Sequence, residues 1–141
     1  MDIISRLGEI LDKNLYARKN KKEVVDAFKR LDVNVSDVVW KFYMNFDGPF
    51  WEETLGMELL DIVNDRVNIE SITNECRQEY MFPKKYLVLT EMAAGEVIVL
   101  NTLSDKVYRV DFEGGDEKLL SEELEEDWES FEDFLVTYFG L

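Results

Sequence analysis

The sequence predicts an α+β fold, with N-terminal helices, a central antiparallel sheet containing a strand meander, and a C-terminal helix. Three observations predict it. Apolar residues recur at helical spacing as far as Asp47-Gly48-Pro49. Beyond that breaker, short apolar runs take over and end in YLVLTE, EVIVLN and KVYRVDF, joined by short connections. Helical spacing then returns over the last dozen residues.

Ile3, Ile4, Leu7, Ile10 and Leu11 place an amphipathic helix over residues 2 to about 13. Lys13 to Lys22 reads as a basic connection containing Tyr16. Val24, Val25, Phe28 and Leu31 mark a second helical face. Ser36 is placed to cap a third helix carrying Val39, Phe42, Tyr43 and Phe46, which should stop near Asp47-Gly48-Pro49. Leu55 to Leu60 and Val67 to Ile69 read as short strands, and Ser71 to Tyr80 as a helix or helical turn. Three strands follow at Tyr86 to Glu91, Glu96 to Asn101 and Val107 to Phe112, and their short connections imply an antiparallel meander. Gly114-Gly115 ends it. Residues 116 to 129 are then mostly acidic, with Leu119, Leu120, Leu124 and Trp128 interspersed. Ser130 as cap, Asp133 at the third helical position and Gly140 past the end define the last helix, striped by Phe131, Phe134, Leu135 and Tyr138.

The 141 residues are expected to form one domain, residues 1–141, large enough for a hydrophobic core of its own. The net charge of -15 repels nucleic acid and anionic membrane and favours a basic protein partner. The charge is uneven. Arg6, Lys13, Arg18, Lys19, Lys21, Lys22, Lys29 and Arg30 give the first 31 residues an excess of base, whereas residues 111 to 133 hold many acids against Lys118 alone. Attraction between the two ends within the fold is one consequence to test. MDIISRLGEILDK lacks the pattern of a signal peptide, no apolar run approaches membrane-span length, and a single cysteine, Cys76, suits a reducing compartment. A cytoplasmic location is therefore expected.

The chain has no histidine. That removes Ser-His-Asp and Cys-His catalysis, histidine zinc sites and imidazole bases. Asp111, Glu113, Glu117 and Glu122 have spacings reminiscent of a calcium loop, but Gly115 holds a ligand position, Asp116 the glycine position, and Leu119 offers no side-chain ligand. Asp116-Glu117-Lys118 follows a Gly-Gly turn in an acidic stretch, unlike the strand-borne acids of a metal-dependent nuclease. Glu52 and Glu53 are adjacent, so their carboxylates should point apart rather than face each other across a cleft. No glycine loop cradles a phosphate. No catalytic residue, cofactor or metal is expected. The remaining signal is the run Glu122, Glu123, Glu125, Glu126, Asp127 and Glu129. It serves either as a solvated surface or as a partner-binding face, with Trp51 and Trp128 as anchors if exposed and as core if buried.

The order of FYMNFDGPFWEETLGMELLDI, then YLVLTE, EVIVLN and KVYRVDF, then ESFEDFLVTYFGL resembles the SUKH superfamily. The likeness runs from about Lys21 to the end, through Asp47-Gly48, Pro83 before Tyr86, and Ser130-Phe131. One departure is Val35-Ser36, where many relatives have Leu-Pro before the third helix. The resemblance implies an α+β fold and, because bacterial members are mostly immunity proteins, a non-enzymatic role in neutralising a cognate toxin, with nucleases among the candidates. It implies no shared catalytic set. Fungal members that regulate cell-wall synthesis and signalling leave a regulatory scaffold or adaptor as the alternative, and a carboxylate-based enzyme is a third reading.

Overall fold

The computed structural model describes residues 2–141. Four helices come first: α1 (Ile3–Ile10), α2 (Lys13–Tyr16), α3 (Lys21–Leu31) and α4 (Asp37–Asn45). The carboxylate of Asp2 caps α1 by accepting from Ser5 N–H at 2.8 Å, and Ser36 caps α4 by accepting from Val39 N–H at 3.3 Å. The Val35-Ser36 departure therefore leaves the start of α4 satisfied. The stretch 13 to 22 is not one connection. Asp12 caps a single helical turn, α2, and α3 already begins at Lys21.

After Pro49 a two-stranded antiparallel hairpin forms from β1 (Phe50–Glu52) and β2 (Met57–Leu59). The expected strand at Val67 to Ile69 is absent. Ile69 is instead the first residue of α5 (Ile69–Glu79). Two β-branched residues at period two suggested a strand, but Asn68 between them is a helix cap. Its side chain accepts from Ser71 N–H at 2.8 Å, while Asn68 N–H donates to Ser71 Oγ at 3.0 Å.

The meander is β3 (Tyr86–Val88), β4 (Glu96–Asn101) and β5 (Val107–Asp111), antiparallel in that order. Tyr86 pairs with Asn101, and Val97 with Val110. This register places Leu87, Leu89, Ile98, Leu100 and Val107 against the main core with α3, α4 and the hairpin. The alternate residues Tyr86, Val88, Val97, Val99, Tyr108 and Val110 meet Cys76, Phe82 and Leu119 on the other face. Burial on both faces explains why these strands read as apolar runs rather than alternating ones.

The acidic stretch holds a helix that its composition concealed, α6 (Gly115–Leu120), which packs on β5. Finally α7 (Phe131–Phe139) is capped by Ser130, which accepts from Asp133 N–H at 3.1 Å, and ends at Gly140 in the left-handed conformation. Phe131, Phe134, Leu135 and Tyr138 are fully buried. Among the described residues no helix is long and apolar enough to cross a membrane.

The two charged ends do not pair. Arg18 bonds Asp47 and Asp61, Lys22 bonds Asp26, and Arg30 bonds Glu70. The acids of residues 111 to 133 pair with lysines of the sheet region instead, Lys85 with Glu122 and Lys106 with Glu126. Among the described residues no salt bridge joins the first 31 residues to the acidic stretch.

Candidate functional site

The acidic segment starts from a tight turn. Asp111 accepts from Glu113 N–H at 2.9 Å and from Gly115 N–H at 3.1 Å. These backbone donors, Gly115 first, hold its carboxyl below the usual range. Asp111 is thus a turn acceptor. A Cβ at Gly115 would stand 2.9 Å from the Asp111 carboxylate, so any side chain there would have to displace the carboxylate that holds the turn.

Beyond α6 the chain runs along the outer edge of β5. Val107 N–H donates to Trp128 C=O at 3.0 Å, and Asp127 and Trp128 N–H both donate to Val107 C=O. The Asp127 carboxylate accepts from Arg109 N–H at 2.7 Å. The segment therefore satisfies an edge that would otherwise present free backbone groups. Leu124 packs against the second hydrophobic cluster and Trp128 against the first, so the two apolar residues straddle the β5 edge.

This architecture sorts the carboxylates. Glu122 bonds Lys85 at 2.5 Å, and that hydrogen bond holds its carboxyl below the usual range. Glu126 meets Lys106 at 3.4 Å; its own backbone N–H is the main cause of its lowered carboxyl pKa, with Lys106 adding to it. Asp127 serves the sheet edge. Glu123, Glu125 and Glu129 are exposed and, among the described residues, take part in no salt bridge. Glu125, Glu126, Asp127 and Glu129 line a shallow concavity of about 470 Å³. Of these four, Glu125 and Glu129 take part in no salt bridge among the described residues and can receive lysine or arginine side chains from another protein.

The tryptophans differ. Trp128 is half-buried: its indole N–H donates to Thr137 Oγ1 at 3.1 Å, and its ring meets Phe134 edge-on at 5.1 Å. Trp51 is 59 % exposed on the hairpin, across from Glu58, because the strand alternation turns its neighbour Phe50 inward. Phe50 is the core plug, stacked on Tyr16 at 5.4 Å. A Cβ at Gly48 would come within 2.7 Å of the Phe50 ring. The structure thus brings Glu122 to Glu129 and Trp128 together on one edge and leaves Trp51 on a separate sheet.

Trp40 went unnoticed in the sequence. It lies on α4, 37 % exposed, with its ring 5.8 Å from Phe28 and concavities of about 360 and 230 Å³ beside it, lined by Val33 and Asn34. Spacing offered the signal: Val39, Phe42 and Tyr43 define the buried stripe, and Trp40 falls outside it.

Among the described residues no three His, Cys, Asp or Glu side chains converge as a metal site. No curated protein matches the chain. The model of the SMI1 / KNR4 family (SUKH-1) matches residues 20–137, from the residue before α3 to the Thr137 that holds Trp128. On that match, spanning most of its length, the chain belongs to the SMI1 / KNR4 (SUKH-1) family.

Proposed function

We propose that this protein is an immunity protein of the cytoplasm that binds a cognate toxin and neutralises it by stoichiometric occlusion, without catalysis. Residues 1–141 act together as one binding domain. The observation that carries this reading, beside family membership, is the edge segment from Glu122 to Glu129, whose Glu123, Glu125 and Glu129 are exposed and have no salt-bridge partner among the described residues. An acidic ridge held on a sheet edge complements a basic surface such as the phosphate-binding groove of a nuclease toxin. The net charge of -15 speeds encounter with such a partner and disfavours nucleic acid and anionic lipid.

The test is capture of partners by the tagged protein from its native cell, including the products of neighbouring genes, followed by assay of the captured toxin. Stoichiometric recovery of a basic toxin domain with blocked activity is the expected result. Recovery of only regulatory proteins would overturn it.

The exposed Trp40 favours a second reading, a scaffold or adaptor that binds a cellular protein. A contact centred on Trp40 would be mainly apolar, so its association rate would barely respond to salt, and Trp40→Ala would weaken it while charge reversal at Glu123, Glu125 and Glu129 would not.

A further inference from the structure

Between the meander and the segment after α6 lies a half-open cavity of about 160 Å³. Tyr86, Leu119 and Leu124 supply its apolar walls, and Asn101, Ser104, Lys106, Tyr108 and Glu122 its polar groups. Asn101 and Tyr108 are each only 8 % exposed. The orientation of the Asn101 amide is set, because its Oδ1 accepts from Leu103 N–H at 2.9 Å and from Ser104 N–H at 3.2 Å. Its NH2 group is left over, and among the described residues neither it nor the Tyr108 hydroxyl has a hydrogen-bond partner. Tyr86 differs, since its hydroxyl donates to Leu119 C=O at 3.2 Å. Neither atom is sealed from solvent, so both remain open to a ligand in the cavity that their residues line.

We propose that this cavity binds a carboxamide, either the side chain of an asparagine or glutamine on a partner or a free small amide. The polar groups select the chemistry. A guanidinium or ammonium offers only donors and would oppose the Asn101 NH2 and Lys106, while Glu122, the one acid of the lining, is already held by Lys85. A carboxylate would find donors, but both charged pairs at the rim are already neutralised, Lys85 by Glu122 and Lys106 by Glu126, and the chain as a whole repels anions. A carboxamide oxygen accepts from the Asn101 NH2, and its own NH2 donates to the Tyr108 oxygen. The volume suits one short side chain, and the apolar walls take its methylene carbons. The site has a chemistry opposite to that of the neighbouring hollow lined by Glu125 and Glu129, and it stands whether or not the partner is a toxin.

The test is an NMR titration of the isotope-labelled full chain with propionamide, propionate and ethylguanidinium in parallel. Propionamide should give saturable shifts in the Asn101 side-chain NH2 and in the backbone amides of Leu103, Ser104 and Lys106, with an affinity at least about threefold tighter than either charged probe. Tyr108→Phe keeps the ring and should weaken propionamide about threefold or more while the rest of the spectrum stays native. A Gly-Gln-Gly peptide that binds tighter than propionamide, with Gly-Leu-Gly silent, would support a partner's side chain as the occupant. Equal affinity would support a free amide. Shifts that do not saturate, tighter binding of either charged probe, or an unchanged affinity in a folded Tyr108→Phe protein would each overturn the proposal. None of these outcomes depends on toxin binding, so the cavity and the immunity reading fail separately.

Discussion

Arg18 and Asp61 form an ion pair with both side chains wholly removed from solvent, and it ties the segment between α2 and α3 to the loop after β2. Arg18 also donates through Nε to Tyr43 C=O at 2.9 Å and through Nη2 to Phe46 C=O at 3.0 Å. Asp61 accepts from Gly48 N–H at 3.0 Å, Val63 N–H at 3.1 Å and Asn64 N–H at 2.9 Å. The pair satisfies backbone groups at the end of α4, in the turn that follows it and in the loop after β2, so its members hold the Asp47-Gly48-Pro49 turn in place as well as each other. Replacing a whole buried pair by apolar groups is often neutral, but removing one partner leaves a stranded charge. Arg18→Met should therefore destabilise the protein by about 3–5 kcal/mol in urea denaturation. Adding Asp61→Asn should restore part of that loss. A single substitution costing under about 1 kcal/mol would show that the pair is dispensable.

The same pair shows where sequence reading stops. Helix starts were legible at Ser36 and Ser130 because a cap is a local device, three residues long. The meander was legible because Ala94-Gly95 and the turn after Asn101 leave no room for anything but a hairpin. Arg18 and Asp61 are 43 residues apart, and neither differs in composition from a surface residue. Helix α6 was concealed for another reason. Asp116 and Glu117 in its first turn look like loop residues, yet acids at that position suit the positive end of the helix dipole. At the site, the acidic run was plain, but its division into exposed and occupied carboxylates depends on Lys85, Lys106 and Arg109, which only the sheet brings near.

Tyr138 predicts a loss of stability in base. Its hydroxyl accepts from Leu59 N–H at 3.0 Å and shares its proton between Phe50 C=O at 3.0 Å and Met57 C=O at 2.8 Å, which fastens α7 to both strands of the hairpin. Burial pushes its pKa from 10.0 up to about 12. A pKa raised by folding gives stability that is complete below the unfolded value and is lost as pH rises through the folded one. The fall should therefore lie between about pH 10 and 12 and amount to roughly 2–3 kcal/mol from Tyr138 alone. Burial raises Tyr43 in the same direction. Tyr138→Phe should be less stable at neutral pH by about 1–3 kcal/mol, through the unmet Leu59 N–H, and should show a shallower decline in base. Parallel slopes for the two proteins in urea unfolding across this range would refute the assignment.

Cys76 should be chemically silent in the native protein. It is 5 % exposed on α5 against the second hydrophobic cluster, and burial, with Glu75 and Glu79 adding to it, pushes its thiol up to about 11. At mildly alkaline pH the thiolate that reacts with alkylating reagents is then scarce as well as shielded. Labelling with a thiol reagent should proceed at least about tenfold faster in denaturant than in native buffer. Equal rates would place the thiol on the surface. Cys76→Ser, which puts a hydroxyl into an apolar site, should cost about 1–3 kcal/mol.

The edge segment allows binding and folding to be separated by choice of residue. Glu123, Glu125 and Glu129 have no salt bridge among the described residues, so reversing them to lysine should leave the unfolding midpoint nearly unchanged. Asp127 holds Arg109 N–H at 2.7 Å in an exposed bond, so Asp127→Ala should cost about 0.5–1.5 kcal/mol of stability whether or not a partner is present. If the acidic ridge steers a basic toxin, the triple reversal should slow association roughly tenfold or more at low salt, and the wild-type rate should fall steeply as ionic strength rises. Dissociation should change less, because exposed charges act mainly on encounter. Stopped-flow association over a salt series, run beside urea denaturation of the same variants, reads both effects. A salt-independent rate, together with full binding by the triple variant, would remove the ridge from the interface and direct attention to Trp40.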